Sequence, residues 1–280
     1  LQREAAKNHF AVGAFNTGNL EITKAILAAA EAEKAPIIIA VTPSTIKYAG
    51  IKYISAIVQT AIKSSSLPIS LHLDHGTDFE TVELCMNAGF SSVMIDGSKH
   101  PLDENIHITK TVIDAVHRRG ISVEGELGRI LGAEDLIVVS KREASMTPPD
   151  EAAKFVKETK VDALAVSIGN AHGWYKEEPK LDFERLAAIR EVTKVPLVLH
   201  GASGIPGDDI KKAIDIGITK INIDTEIRDA FKRGVQGFLN ENPDEIDPRK
   251  ILKPAIDEMI EVVRRKIRLF GASDKAKLYK

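Results

Sequence analysis

The chain has 280 residues, 44% of them hydrophobic and 28% charged, enough to bury a large core under a polar surface, which excludes an intrinsically disordered protein. Its 38 basic and 40 acidic residues nearly cancel and are interleaved, which argues against a nucleic-acid footprint or a polybasic membrane patch and leaves a small molecule as the expected partner. The single cysteine, Cys85, cannot form an internal disulfide, no apolar run approaches the roughly 20 residues that span a bilayer, and no secretory signal is visible, so a cytoplasmic location is expected.

The segment 1–7 reads as helix, and because Leu1 is not an initiator methionine a few residues are expected to precede it. Short β-rich runs then alternate with amphipathic stretches. The runs are 11–15 (AVGAF), 36–41 (PIIIAV), 68–73 (PISLHL), 92–96 (SVMID), 122–127 (SVEGEL), 162–167 (DALAVS), 196–200 (PLVLH) and 220–224 (KINID). This alternation predicts parallel strands joined by crossover helices. Eight such units predict an α/β fold closed as a (β/α)8 TIM barrel, with residues 1–280 forming a single domain, since barrels of roughly 250 residues commonly do.

Between the strands, Ile22, Ile26, Ala29 and Ala30 form one helical stripe and Ile106, Ile113 and Val116 another, with Gly120 as a helix stop. The connection 128–149 lacks clear periodicity and is unlike the others, and long loops of this kind often serve as lids. After the eighth unit, Ile256, Met259, Ile260, Val263 and Ile267 mark an additional C-terminal helix, packed outside the barrel or against a partner subunit.

In a barrel of this type the active site lies at the C-terminal ends of the strands. Strand three ends in Asp74 and His75, strand four in Asp96, strand five in Glu124 and Glu126, strand six runs into His172, and strand seven ends in His200. Three histidines at one mouth, each next to glycine or at a strand end, suit a catalytic Zn2+ with three protein ligands and an open position. Asp74 and His75 can serve one site only where the strand gives way to its loop, a turn that Gly76 permits, and Asp74 would then be available for proton transfer. His72 is expected inside the barrel, and His9, His100, His107 and His117 as structural or solvated residues. Lys220, at the start of the eighth run, reads as structural. The segment HGASGIP (200–206) places glycines and Ser203 before a helix, and Asp224 and Thr225 open another, so an anion site is expected after strands seven and eight.

The motifs FNTGN (15–19), HLDHG (72–76), SVMIDGS (92–98), VEGELGR (123–129), HG (172–173), PLVLHGASGIP (196–206), KINIDTE (220–226) and DPRK (247–250) occur in order along nearly the whole chain. This set resembles the class II, zinc-dependent fructose-bisphosphate aldolases and their close relatives, the tagatose-bisphosphate aldolases. The resemblance implies that His75, His172 and His200 hold the catalytic zinc and that Asp74 is the acid/base for the C4 hydroxyl. It gives Asp96 and Glu126 an alternative inner metal position, and makes Glu134, in the long loop, the mobile acid/base of the ketose-phosphate carbon. Gly173, Lys176, Gly201, Ser203, Asn222, Asp224 and Thr225 match the site for dihydroxyacetone phosphate, where backbone groups also hold a monovalent cation, Na+ or K+. Arg249 matches an arginine that reaches the distal phosphate of a neighbouring subunit, which implies a homodimer or homotetramer acting on small sugar phosphates.

Two features depart from the family pattern. Leu131-Gly132-Ala133 precedes Glu134 where a Gly-Gly pair is usual, and NIDTE carries the aspartate common in fructose-bisphosphate aldolases while the surroundings of His172 and Gly201 resemble the tagatose group. The expected reaction is reversible cleavage of fructose 1,6-bisphosphate into dihydroxyacetone phosphate and glyceraldehyde 3-phosphate through a zinc-stabilised enediolate, with the tagatose epimer as the alternative. A zinc hydrolase on a similar barrel would be expected to place a His-x-His pair at the end of strand one, where FNTGN stands. A catalytically silent sugar-phosphate binding protein would be separated by zinc content and a cleavage assay.

Overall fold

The computed structural model of the protein describes residues 1–134, 137–141, 144–175 and 177–279. Helix α1 (Gln2–Lys7) leads into β1 (Val12–Asn16), α2 (Leu20–Glu33), β2 (Ile37–Val41), α3 (Pro43–Ala49) and α4 (Ile51–Ser64). There follow β3 (Ile69–Gly76), α5 (Phe79–Asn87), β4 (Ser92–Ile95), α6 (Leu102–Val116) and β5 (Ser122–Leu127). A short pair, β6 (Gly132–Glu134) and β7 (Ile137–Val139), precedes α7 (Pro149–Thr159), β8 (Ala163–Val166), α8 (Phe183–Val192), β9 (Leu197–Leu199) and α9 (Gly207–Ile216). The chain ends with β10 (Ile218–Ile223), α10 (Thr225–Glu241) and α11 (Pro248–Leu269).

Eight of these strands close a parallel barrel in the order β1-β10-β9-β8-β5-β4-β3-β2. A strand packed on side chains inside and on helices outside has no wet face, so its sequence is a nearly continuous apolar run. Every residue of β1, β2 and β10 is buried. The (β/α)8 barrel expected from the alternation is therefore the fold.

Several turns from a strand into the next helix are fixed by a cap at the mouth of the barrel. Asn19, Thr42, Asp78 and Asp182 each accept a backbone N–H from the first turn of the helix that follows, which supplies a partner for a donor the helix itself cannot satisfy.

The connection between β5 and α7 contains an antiparallel hairpin, β6 with β7, where the sequence shows no periodicity. Strands of three residues are too short to display alternation. The hairpin is tied to the barrel at its base, where the His172 N–H donates to the Leu131 carbonyl at 2.7 Å.

The additional C-terminal helix is α11, which lies against α2 and α10 with Met259, Val263 and Ile267 buried. It is fastened at Glu33. That carboxylate accepts from Arg268 at 2.7 Å and from Arg264 at 3.0 Å on one oxygen, and from the Ser273 hydroxyl at 2.9 Å on the other. The hydrogen bond from Arg268 outweighs burial, and with Ser273 and Arg264 it brings the Glu33 pKa down to about 2. Among the described residues no helix is long and apolar enough to cross a membrane.

Candidate active site

Consecutive residues on a strand point to opposite faces, yet Asp74 and His75 share one buried cluster. His75 takes a left-handed backbone with φ 50°, and the pairing of β3 with β4 shifts register between Leu73 and Gly76. The irregularity re-aims the side chain within the strand. Gly76 has a different task from the turn expected of it: a Cβ there would stand 2.5 Å from the Met94 carbonyl oxygen, so it permits β3 and β4 to approach. Histidine is one of the residue types that tolerates positive φ, at a cost that a functional site commonly bears.

Asp74 is fully buried and gripped on both oxygens. Asn16 on β1 donates to Oδ2 at 2.8 Å, and Asn222 on β10 donates to Oδ1 at 2.9 Å. The amide oxygens of these two asparagines are buried without a hydrogen-bond partner among the described residues. Burial opposes ionisation of Asp74, but the surrounding His75, His200 and Lys220 charges outweigh it and hold the carboxyl well below its usual range.

His75, His200 and, from the loop after β8, His172 meet. Ring centroids lie 4.7 Å apart for His75 and His200, 5.3 Å for His75 and His172, and 6.1 Å for His172 and His200. His75 Nε2 is 3.1 Å from His200 Nδ1, while His75 Nδ1 is 3.2 Å from Asp96 Oδ2. Burial lowers the His75 pKa, but the hydrogen bond it donates to Asp96 and the Asp74 and Glu126 charges dominate and bring it up to about 10; its partner Asp96 is held at about 2 by the same contact against the effect of burial. Burial and the neighbouring histidines hold His172 well below its ordinary value.

Two overlapping groups can hold a metal ion. In Asp74, His75 and His200, and again in His75, Asp96 and Glu126, the ligand atoms all lie within 4.8 Å of one another. Glu126 Oε2 is buried without a hydrogen-bond partner among the described residues, and burial beside the Asp96 charge raises its pKa well above the usual carboxylate value. A lone buried carboxyl in that state gains from a cation. A tetrahedral zinc with Zn–N near 2.0–2.1 Å separates its nitrogen ligands by about 3.3 Å, close to the 3.1 Å between His75 and His200. His75 and His200 fit the ion, while His172 lies outside both groups.

Two loops complete the mouth and are bolted together. The Tyr175 hydroxyl accepts from the Ala171 N–H at 2.8 Å and donates to the Gly201 carbonyl at 2.9 Å, and Asn170 donates to the His200 carbonyl at 3.0 Å. Gly201 has φ 62°, and a Cβ there would lie 2.3 Å from the Ala171 carbonyl oxygen, so only glycine lets the His172 and His200 segments touch. Ser203 is buried, and the next amide, Gly204 N–H, donates to Glu226 at 3.1 Å. Gly173 has a left-handed φ of 84°. Asp224 immediately precedes α10, makes no side-chain cap hydrogen bond to it, and pairs with Arg228 at 2.7 Å; Thr225 is the first residue of that helix. The first turn of α9 carries Asp208 and Asp209, which disfavours an anion at that particular helix start.

Lys176 and the side chain of Glu134 lie outside the described residues. Arg249 is not among the clustered groups: its guanidinium is 88% exposed at the start of α11 and pairs with Asp247 at 2.8 Å. Sequence reasoning passed over Asn16, Asn170 and Tyr175, whose contacts arise only when separate strand ends meet. Lys220 lies inside β10, fully buried in the barrel, because that strand starts at Ile218.

The profile of the family described as fructose-bisphosphate aldolase class-II matches residues 1–275. Among solved structures the chain is similar to the YdjI aldolase from Escherichia coli K12, with 35% identity, a TM-score of 0.86 and coverage of 98% of this chain and 96% of that one. It is similar as well to a candidate fructose-1,6-bisphosphate aldolase from Coccidioides immitis, with 31% identity, a TM-score of 0.89 and coverage of 99% and 96%. The Campylobacter jejuni fructose-bisphosphate aldolase, at 24% identity, a TM-score of 0.83 and coverage of 98% and 94%, shares the fold. The chain belongs to the class-II fructose-bisphosphate aldolase family.

Proposed function

We propose that the protein is a zinc-dependent aldolase that reversibly cleaves fructose 1,6-bisphosphate into dihydroxyacetone phosphate and glyceraldehyde 3-phosphate. The observation that carries this reading is a fully buried Asp74, gripped by two asparagines, beside two histidine nitrogens 3.1 Å apart.

His75, His172 and His200 would hold the zinc, with Asp96 and Glu126 as the inner alternative. When bound, a zinc ion supplies Lewis-acid polarisation of the ketone and stabilises the negative charge that develops as the carbon–carbon bond breaks. Asp74 takes the proton of the C4 hydroxyl, for which its depressed pKa keeps it in the basic form. The two asparagine amides fix the carboxylate in place, so that little reorganisation is needed when the proton moves. Glu134, on the hairpin that follows β5, returns a proton to the three-carbon fragment left behind. Gly173, Lys176, Gly201, Ser203, Asn222, Asp224 and Thr225 hold the dihydroxyacetone phosphate half, with a Na+ or K+ ion on the loop carbonyls. Arg249 serves the distal phosphate of a neighbouring subunit in a homodimer or homotetramer.

Lys220 does not suit Schiff-base chemistry, which needs a neutral amine. Its ammonium is bound to both oxygens of Glu124, at 2.7 and 3.0 Å. The substrate assignment is tested by comparing turnover of fructose 1,6-bisphosphate with that of its C4 epimer, tagatose 1,6-bisphosphate, and with ketose monophosphates. Faster cleavage of the fructose substrate is expected; preference for either of the others replaces the substrate while leaving the reaction class intact.

A further inference from the structure

Beneath the three histidines the barrel axis holds a second polar layer that the proposed chemistry does not use. It consists of His72, Glu124 and Lys220, from three different strands, all at most 2% exposed. Lys220 Nζ donates to both oxygens of Glu124, at 2.7 and 3.0 Å, and lies 3.2 Å from His72 Nε2. An ammonium has only donors. His72 Nε2 therefore accepts, and the ring's hydrogen sits on Nδ1, which donates to the Ser92 hydroxyl at 2.9 Å.

The layer is joined to the mouth at one point. Glu124 Oε1, already bound to Lys220, also meets His200 Nε2 at 2.9 Å. An ionised carboxylate only accepts, so the hydrogen of His200 is on Nε2. The lone pair is then on Nδ1, the nitrogen that faces His75 Nε2 at 3.1 Å. A half-turn of the ring would put Cδ2 where Nδ1 faces His75 and Cε1 where Nε2 meets Glu124, leaving the carboxylate without its donor. Lys220 compensates the buried charge that makes this device workable.

We propose that Glu124, held by Lys220, is a positioning residue that fixes the ring and tautomer of His200 so that Nδ1 is presented to the catalytic metal. This rests on the reading of the mouth as a metal centre. Histidine ligands in metal sites commonly donate their second N–H to a carboxylate, and loss of that partner costs about 10- to 100-fold in metal affinity.

The test starts from zinc-loaded protein and follows transfer of zinc to a chelator of known affinity. One double variant, Glu124→Leu with Lys220→Met, removes the charge pair and the acceptor together; apolar replacements of similar volume are often tolerated at buried ion pairs. A second, Glu124→Gln with Lys220→Met, removes the charges but keeps an amide oxygen able to accept from His200. The first should hold zinc about 10- to 100-fold more weakly than the unaltered protein, and the second should stay within about tenfold of it. Equal retention by both variants overturns the proposal. So does equal loss by both with the fold intact by circular dichroism, since the charge rather than the hydrogen bond would then matter. If the Leu/Met variant does not fold, nitrogen NMR of the zinc-loaded unaltered protein decides: His200 should show a metal-bound Nδ1 and a protonated Nε2, and coordination through Nε2 overturns the proposal. Failure of the unaltered protein to bind zinc would instead remove the metal reading on which this one rests.

Discussion

His75 Nε2 and His200 Nδ1 face each other at 3.1 Å across the barrel mouth, although the residues are 125 positions apart in the chain. Two histidine nitrogens this close are natural neighbours on one ion. If His200 is a zinc ligand as proposed, replacing it with alanine should weaken zinc retention by more than the about 100-fold that supporting residues cost. Zinc content after dialysis against a chelator measures it. Stoichiometric zinc in the variant would mean that the ion sits elsewhere.

Asp74 has both oxygens engaged by Asn16 and Asn222, as its proposed role as a held base requires. Asp74→Ala should keep its zinc and lose about 100- to 10,000-fold in cleavage rate, the usual contribution of a positioned proton-transfer group. Paired metal analysis and kinetics separate the outcomes. Loss of zinc in this variant would make Asp74 a ligand, as its place within 4.8 Å of both histidine ligand atoms permits.

The barrel was legible because strands such as Ile37–Val41 are buried on both faces, so their apolar runs stand out from the amphipathic helices. His75 and His200 were legible because each stands at a strand end beside a glycine, and His172 because it stands beside Gly173 in the loop that follows the sixth barrel strand. Pleat alternation anticipated a break after Asp74 but assigned it to Gly76, whereas the left-handed residue is His75; the register shift against β4 is a tertiary event with no local signature. The Glu124–Lys220 pair, 96 residues apart, exists only because the barrel closes. Nothing in either local sequence announces it.

Arg249 projects from the start of α11 with its guanidinium paired to Asp247, outside the buried cluster. If it serves a neighbouring subunit, Arg249→Ala should weaken bisphosphate cleavage by about 10- to 100-fold, the worth of charged hydrogen bonds to a phosphate, and leave dihydroxyacetone phosphate binding nearly unchanged. Mixing this variant with Asp74→Ala should recover activity, since hybrid assemblies contain sites free of both lesions. No recovery, with subunit exchange demonstrated, would contradict a role across the interface.

Glu33, clamped by Arg268, Ser273 and Arg264, has its pKa depressed from 4.5 to about 2. A depressed acid stabilises the fold above its unfolded pKa, and that contribution is lost as pH falls through the folded value. Between pH 4.5 and about 2 the unfolded chain binds the additional proton. Glu33→Gln should therefore lower Tm at pH 7 and show a shallower fall of Tm on acidification, so that the two curves converge. Thermal unfolding across this range checks it, and parallel curves would show that the clamp contributes nothing through its charge.

The central claim is that a metal held by the three histidines is required for carbon–carbon cleavage. The direct measurement is the rate of fructose 1,6-bisphosphate cleavage in protein stripped of metal and in the same protein reconstituted with zinc. The stripped protein should show no cleavage above background and should recover on adding one zinc ion per chain. Undiminished cleavage in protein shown to be free of metal would contradict it.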